Sequence, residues 1–159
     1  MTRLTHADRR GRARMVDVSA KPATAREAVA RAVVRMRPQT LALVRANRIA
    51  KGNVLEVAQL AGVMAAKRTA ELIPLCHPIP LTDIQVRAAP AARGVAIEAR
   101  ARTVAPTGVE MEALVAAAVA ALAVYDMCKA ADRGMTIDRV RLVAKRGGRS
   151  GTYRRPGER

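Results

Sequence analysis

The hydrophobic positions change period several times along the chain, and each change marks a predicted element. Residues 15–18, Met-Val-Asp-Val, alternate and predict a short strand. Residues 24–27 read as a capping box, in which Thr24 and Glu27 would satisfy each other's free amides. Val29, Ala32, Val33 and Met36 follow at helical spacing, and Pro38 stops that predicted helix. Residues 40–44 are a short β-prone run. Residues 53–56 form a second capping box, whose helix carries Val57, Leu60, Ala61, Met64 and Ala65 on one face and ends before Pro74. Ile84, Val86 and Ala88 then alternate with Gln85 and Arg87. Beyond a turn from Pro90 to Gly94, Val95, Ile97, Ala99 and Ala101 alternate with Glu98, Arg100 and Arg102. That is an antiparallel hairpin with one wet face. Residues 107–110 are a third capping box, opening a long alanine-rich helix to about Ala130 that Gly134 closes. Ile137, Val140, Leu142 and Ala144 predict a last strand.

From residue 40 onward the predicted order is strand, helix, strand, strand, helix, strand. This is the ferredoxin-like split βαβ pattern, an α+β fold with an antiparallel sheet and helices packed on one face. An extra N-terminal strand and helix precede it. The domain runs over 13–145, between a flexible basic arm at 1–12 and a flexible basic, glycine-containing tail at 146–159.

Composition narrows the setting. The 159 residues fit one domain with its own core. With no Phe or Trp and only two Tyr, that core must be filled by Ala, Val, Leu, Ile and Met. Two cysteines are too few for a disulfide scaffold. The residues up to Arg14 are polar and basic, unlike a secretion signal. The most apolar run, 113–124, is shorter than the roughly 18–20 residues a membrane helix needs. A cytoplasmic location without membrane contact is expected. The net charge of +16 attracts anions. Single-strand binders interleave aromatics for base stacking, and their lack argues against nucleic acid. A phosphorylated small molecule is an equally good anion, and a background preference for arginine explains part of the excess.

The candidate chemistry is concentrated in a few segments. Pro74, Pro78 and Pro80 stiffen the backbone around Cys76 and His77. Neighbours in an extended segment point to opposite sides, so these two do not form a dyad with each other. Zinc needs about four ligands at recognisable spacing; Cys76, His77, Cys128 and His6 do not supply it, and no metal site is expected. Cys76 reads as a small core residue. Lysine is rare beside arginine: only Lys21, Lys51, Lys67, Lys129 and Lys145 occur. Arginine holds its proton, whereas lysine can be tuned to exchange one. Asp126 and Lys129 stand three apart and share a helix face, a pairing suited either to general acid–base work or to an ordinary surface ion pair.

Glu110 and Glu112 begin the same helix. Glu110 is expected to serve the capping box, and the helix N-terminus should stabilise Glu112 as the anion. Glu112 and Asp126 lie about 21 Å apart along a helix rising about 1.5 Å per residue. They cannot both meet one small substrate within a single chain, so they would serve opposite ends of an extended ligand or meet across a subunit interface. The alanine face of the helix invites a partner, and an oligomer with a shared site is expected. Arg146 to Gly151 form a basic glycine loop fit to cradle phosphate, although it is not a P-loop.

These segments together resemble one family, MoaC, the cyclic pyranopterin monophosphate synthases of molybdenum cofactor biosynthesis. The resemblance rests on MVDVS at 15–19, Lys51-Gly52, AAKRT at 65–69, LIPLCHP at 72–78, TGVEMEAL at 107–114, YDMCKA at 125–130 and Gly147-Gly148. It implies a lyase-type reaction, in which 3′,8-cyclo-7,8-dihydro-GTP becomes cyclic pyranopterin monophosphate and pyrophosphate leaves. It implies a homohexamer, a trimer of dimers with sites at the dimer interfaces, and no resident cofactor beyond a divalent cation that could accompany the triphosphate. By position, Asp126 would be the catalytic acid or base, with Lys129 and Lys51 beside it. Leu75, Cys76, His77, Glu110, Met111 and Glu112 would line the substrate site, and Lys67 and Lys145 would meet the phosphates. Asn53 stands where the family has Asp, and Arg146 and Arg149 flank the glycines where the family has Ser and Lys; arginine keeps the charge but cannot pass a proton. The competing readings are a basic nucleic-acid-binding module of ferredoxin-like fold and an oligomer without activity.

Overall fold

The computed structural model describes residues 11–158, so most of the predicted arm, with His6, and the final arginine lie outside the described residues. In chain order the elements are β1 (Thr24–Arg35), α1 (Pro38–Arg45), α2 (Val54–Ala66), the single turn α3 (Thr69–Leu72), β2 (Leu81–Ala91), β3 (Gly94–Ala105), α4 (Glu110–Cys128), β4 (Thr136–Arg146) and β5 (Tyr153–Arg154). The strands form one open sheet in the order β2-β3-β1-β4-β5, with every neighbour antiparallel. The architecture is α+β.

The helix expected over residues 24–36 is instead β1, the central strand. Ala28, Ala30, Ala32 and Val34 are at most 1% exposed and recur with period two. The polar positions between them pair across the opposite face of the sheet. Arg31 Nε donates to Glu98 Oε2 at 2.8 Å, and Arg102 Nε donates to Glu27 Oε2 at 2.6 Å. Glu27 therefore serves the sheet and caps nothing, and the buried Thr24 hydroxyl has no hydrogen-bond partner. Alanine prefers helix in isolation, but pairing on both edges, with β3 and β4, outweighs that preference. The strand expected at 40–44 falls in α1, which Pro38 begins rather than prevents. Residues 15–18 form no strand.

The N-cap of the second predicted box is present: Glu56 N donates to Asn53 Oδ1 at 3.2 Å and starts α2. Its buried side is Val54, Ala58, Gly62, Ala65 and Ala66. Of the stripe expected on one face, Ala65 is buried, whereas Val57, Leu60 and Met64 are exposed. The β2–β3 hairpin has the expected alternation, with Val86 opposite Ala99 and Ala88 opposite Ile97.

The third capping box does not form, because α4 begins behind Val109 with no side-chain cap. Ala113, Ala116, Ala117, Ala120 and Ala121 of α4 are completely buried against α2 and strands β1, β3 and β4. A Cβ on Gly62 would come within 2.9 Å of the Ala116 carbonyl oxygen, so α2 crosses α4 at backbone contact. At 19 residues and a mean hydropathy of 1.7, α4 is long and apolar enough to cross a membrane, contrary to the expectation from its apolar run alone. Here 56% of that window is buried as the core helix of the fold.

The tail returns to the sheet rather than trailing away. β5 pairs with β4, and Glu158 bonds to both Arg31 and Arg141.

Candidate active site

Asp126 lies on the last turn of α4, and Lys129 is its C-cap residue. The Lys129 ammonium donates to Asp126 Oδ1 at 2.7 Å. Lys51 approaches from the loop between α1 and α2, where Gly52 adopts a φ of 108° and Asn53 immediately caps α2. Its Nζ donates to Asp126 Oδ2 at 2.8 Å and to the Asp126 carbonyl at 3.1 Å. Both carboxylate oxygens thus face an ammonium, although 75 residues separate Lys51 from Asp126. The hydrogen bond from Lys129, followed by that from Lys51, lowers the Asp126 pKa to about 2. The group is a carboxylate throughout the physiological range. It is also half exposed, open to a ligand arriving from solvent.

A second constellation forms at the other end of α4. Leu75, Cys76, His77, Glu110, Met111 and Glu112 line one cleft of about 400 Å³. His77 and Glu112 also face an adjoining hollow of about 160 Å³, whose wall includes Lys67 at the C-cap of α2. Lys145 reaches from β4 to within 3.8 Å of Glu110 Oε1. The proline-bounded wall is anchored by His77, whose Nε2 donates to the Val16 carbonyl at 2.8 Å. That bond seats residues 16–21 along the cleft, so Val16, Val18 and Lys21 line it too.

Glu112 sits in surroundings that work against the anionic form expected of it. It is 4% exposed, and burial, with the Glu110 charge as a further cause, raises its pKa. Desolvation outweighs the helix N-terminus, and protonation is favoured relative to an ordinary glutamate. Glu110, freed from capping, lays its carboxylate over Gly108, where a Cβ would collide with it. Burial first, and then the Glu112 charge, also raises the Cys76 thiol. Burial pushes the Cys128 thiol up to about 11. Neither is a thiolate poised for attack. Among the described residues no three His, Cys, Asp or Glu side chains converge as a metal cage.

Residues 15–148 match the family model described as the MoaC family. This chain belongs to the MoaC family. Proteins named cyclic pyranopterin monophosphate synthase are similar over nearly its whole length. The one from Thermomicrobium roseum is 66% identical over 157 residues, covering 98% of this chain and 95% of the relative. The Pelotomaculum thermopropionicum protein is 61% identical, covering 99% and 94% respectively. The Chloroflexus aurantiacus protein is 59% identical, covering 96% and 95%.

Asn53 and Arg146, two of the positions at which the resemblance was expected to break, each have a visible setting. Asn53 keeps the cap of α2 without a charge. Arg146 lines a hollow on the outer face of the sheet with Glu27, Val29 and Arg154, away from the cleft. Sequence reasoning missed Arg26, which it had placed in a helix. From β1, Arg26 donates to the Ala105 carbonyl at 3.0 Å and the Pro106 carbonyl at 3.2 Å, fixing the chain that leads into Thr107 and Gly108 of the cleft. Val16, Val18 and Lys21 were also missed; the MVDVS segment and the scarcity of lysine were their only signals.

Proposed function

We propose that this MoaC protein is a cyclic pyranopterin monophosphate synthase of molybdenum cofactor biosynthesis. Acting as a lyase, it converts 3′,8-cyclo-7,8-dihydro-GTP into cyclic pyranopterin monophosphate and pyrophosphate. The observation that carries this reading is the Lys51–Asp126–Lys129 cluster, one carboxylate held between two ammonium groups. Forming a cyclic monophosphate requires a substrate hydroxyl to attack the α-phosphorus while the bond to the β-phosphate breaks. A carboxylate can accept the hydroxyl proton, and an ammonium can donate one to the departing pyrophosphate or to the rearranging ring. Asp126 fills the first role, and Lys51 and Lys129 the second. Leu75, Cys76, His77, Met111 and Glu112 hold the ring system, with Glu110 beside them. Lys67 and Lys145 neutralise the phosphates, and a divalent cation carried by the triphosphate is compatible with this arrangement.

The cleft and the cluster stand at opposite ends of α4, about 21 Å apart by helix rise. One substrate spans both only if a second subunit brings its own cluster to the cleft. The active form is therefore an oligomer, a hexamer built as a trimer of dimers with composite sites. The outer surface of the helix layer supports self-association, since Val57, Leu60, Met64 and Leu122 stand exposed there. Two free thiols suit a cytoplasmic setting.

The direct test is pyrophosphate release from the cyclised GTP by the purified chain. Turnover that disappears in Asp126→Asn supports the reading. No turnover, together with salt-sensitive nucleic-acid binding that ignores Asp126→Asn, would replace it with the basic nucleic-acid module.

A further inference from the structure

The C-terminal segment has no part in the chemistry above, yet one end lies against the frame of the cleft and the other is clamped to the sheet. It leaves β4 through a loop in which Gly147, Gly148 and Gly151 adopt φ angles of 88°, 73° and 65°. The loop touches the cleft's frame. Lys145 donates to the Ser150 hydroxyl and lies within 3.8 Å of Glu110. A Cβ on Gly148 would fall 2.1 Å from Arg26 Nη1, so the loop backbone rests on the side chain that fixes Ala105 and Pro106.

The other end of the segment is clamped to the outer face of the sheet. Arg155 N and Nε donate to the Val143 and Leu142 carbonyls, each at 2.8 Å. Glu158 then bridges two strands: its Oε1 accepts from Arg141 Nε of β4, and its Oε2 accepts from Arg31 Nη1 of β1 at 2.9 Å. The Glu158 side chain is only 15% exposed, and Arg31 is held from its other side by Glu98. Charge-assisted bonds of this kind are stronger and more directional than neutral ones.

A loop rich in glycine has many conformations to lose, so its ends set its shape. β5 supplies only two residue pairs to hold it. We propose that Glu158 is a positioning residue, and that its clamp between Arg31 and Arg141 sets the glycine loop so that Lys145, Ser150 and the loop amides meet the pyrophosphate part of the substrate. Glu158 itself touches no substrate. This inference rests on the phosphate-bearing substrate proposed above. Hydrogen bonding from Arg141, followed by that from Arg31, holds the Glu158 carboxyl below the usual range, so the clamp stays closed near neutral pH.

The test uses the full chain with Glu158→Gln and Glu158→Asp. Steady-state turnover of the cyclised GTP and binding of inorganic pyrophosphate by calorimetry are measured side by side. Glu158→Gln is expected to raise KM and the pyrophosphate Kd about five- to tenfold, as loss of preorganisation does. Its kcat stays within about twofold, and Glu158→Asp recovers a good part of the loss. Unchanged pyrophosphate affinity in Glu158→Gln overturns the proposal, whether or not the melting temperature falls. If the wild type binds pyrophosphate but turns over no substrate, the proposed reaction fails, while the affinity comparison still decides the clamp.

Discussion

Lys51 Nζ holds Asp126 twice, at 2.8 Å through its carboxylate and at 3.1 Å through its main-chain carbonyl. The second bond fixes the lysine against the end of α4 even when the carboxylate is engaged by a ligand. A residue held this way keeps its place through a proton transfer. Lys51→Ala and Asp126→Asn should each lower turnover by about 10²–10⁴, the usual span for a general acid or base. Both side chains are about half exposed, so the folded state should survive. Circular dichroism and pyrophosphate release on the same samples check both halves of this prediction; unfolding of either variant would contradict it.

Acid should separate the two carboxyl environments. The Asp126 pKa is depressed to about 2, so its contribution to stability is present above the unfolded value and lost only as pH falls toward 2. An acid limb in kcat/KM between pH 5 and 7 should therefore not come from Asp126.

Glu112 has the opposite sign. Its pKa is raised on folding, so its favourable contribution is present below the unfolded value and lost as pH rises through the folded one. Glu112→Gln should become more stable relative to wild type as pH is raised from 4 to 8. Denaturant titrations across that range read the difference, and a constant difference would mean that Glu112 is not desolvated in solution.

Complementation tests the composite site. If the cleft of one chain works with the Asp126 of another, mixing Asp126→Asn and Glu112→Gln subunits should rebuild intact sites. Random pairing in a symmetric assembly yields about one quarter of wild-type activity from two variants that are each inactive. Recovery close to zero after refolding the mixture would place both residues in a single-chain site.

The crossing of α2 on α4 offers a stability test away from the chemistry. Gly62→Val must push against the Ala116 carbonyl and Val86, which ring the missing Cβ at 2.9–3.1 Å. Overpacking of this kind costs about 1–3 kcal/mol. Chemical denaturation should show that loss, and a neutral result would mean that the two helices can part without penalty.

The local side-chain constellations were easier to read from the chain than parts of the fold. The Cys-His wall, the Glu110–Glu112 helix start and the Asp126–Lys129 pair were all visible because each is local, a few residues in fixed spacing. The convergence of Lys51 with Asp126 came only from family likeness, since no local pattern links residues 75 apart. β1 was misread because its alanines and its Thr-to-Glu spacing favour a helix locally. Its partners Arg102 and Glu98 lie 75 and 67 residues downstream of Glu27 and Arg31, beyond the reach of any window. The apolar stripe of α2 was legible as one face of the helix, but most of that face stands exposed. Small residues on the opposite side, with Gly62 at their centre, let that side approach α4 instead. Arg26 stayed hidden because its role depends on the strand that was missed.

The alanines of α4 have a consequence beyond packing. A helix whose inner face is completely buried at Ala113, Ala116, Ala117, Ala120 and Ala121 can neither slide nor tilt without a clash. It acts as a gauge, setting how far Glu112 stands from Asp126 and thus, in the composite site proposed above, how two subunits would be offset for one molecule to bridge them. A methyl group added in the middle of that helix, remote from every reacting atom, would strain its packing and disturb that spacing together.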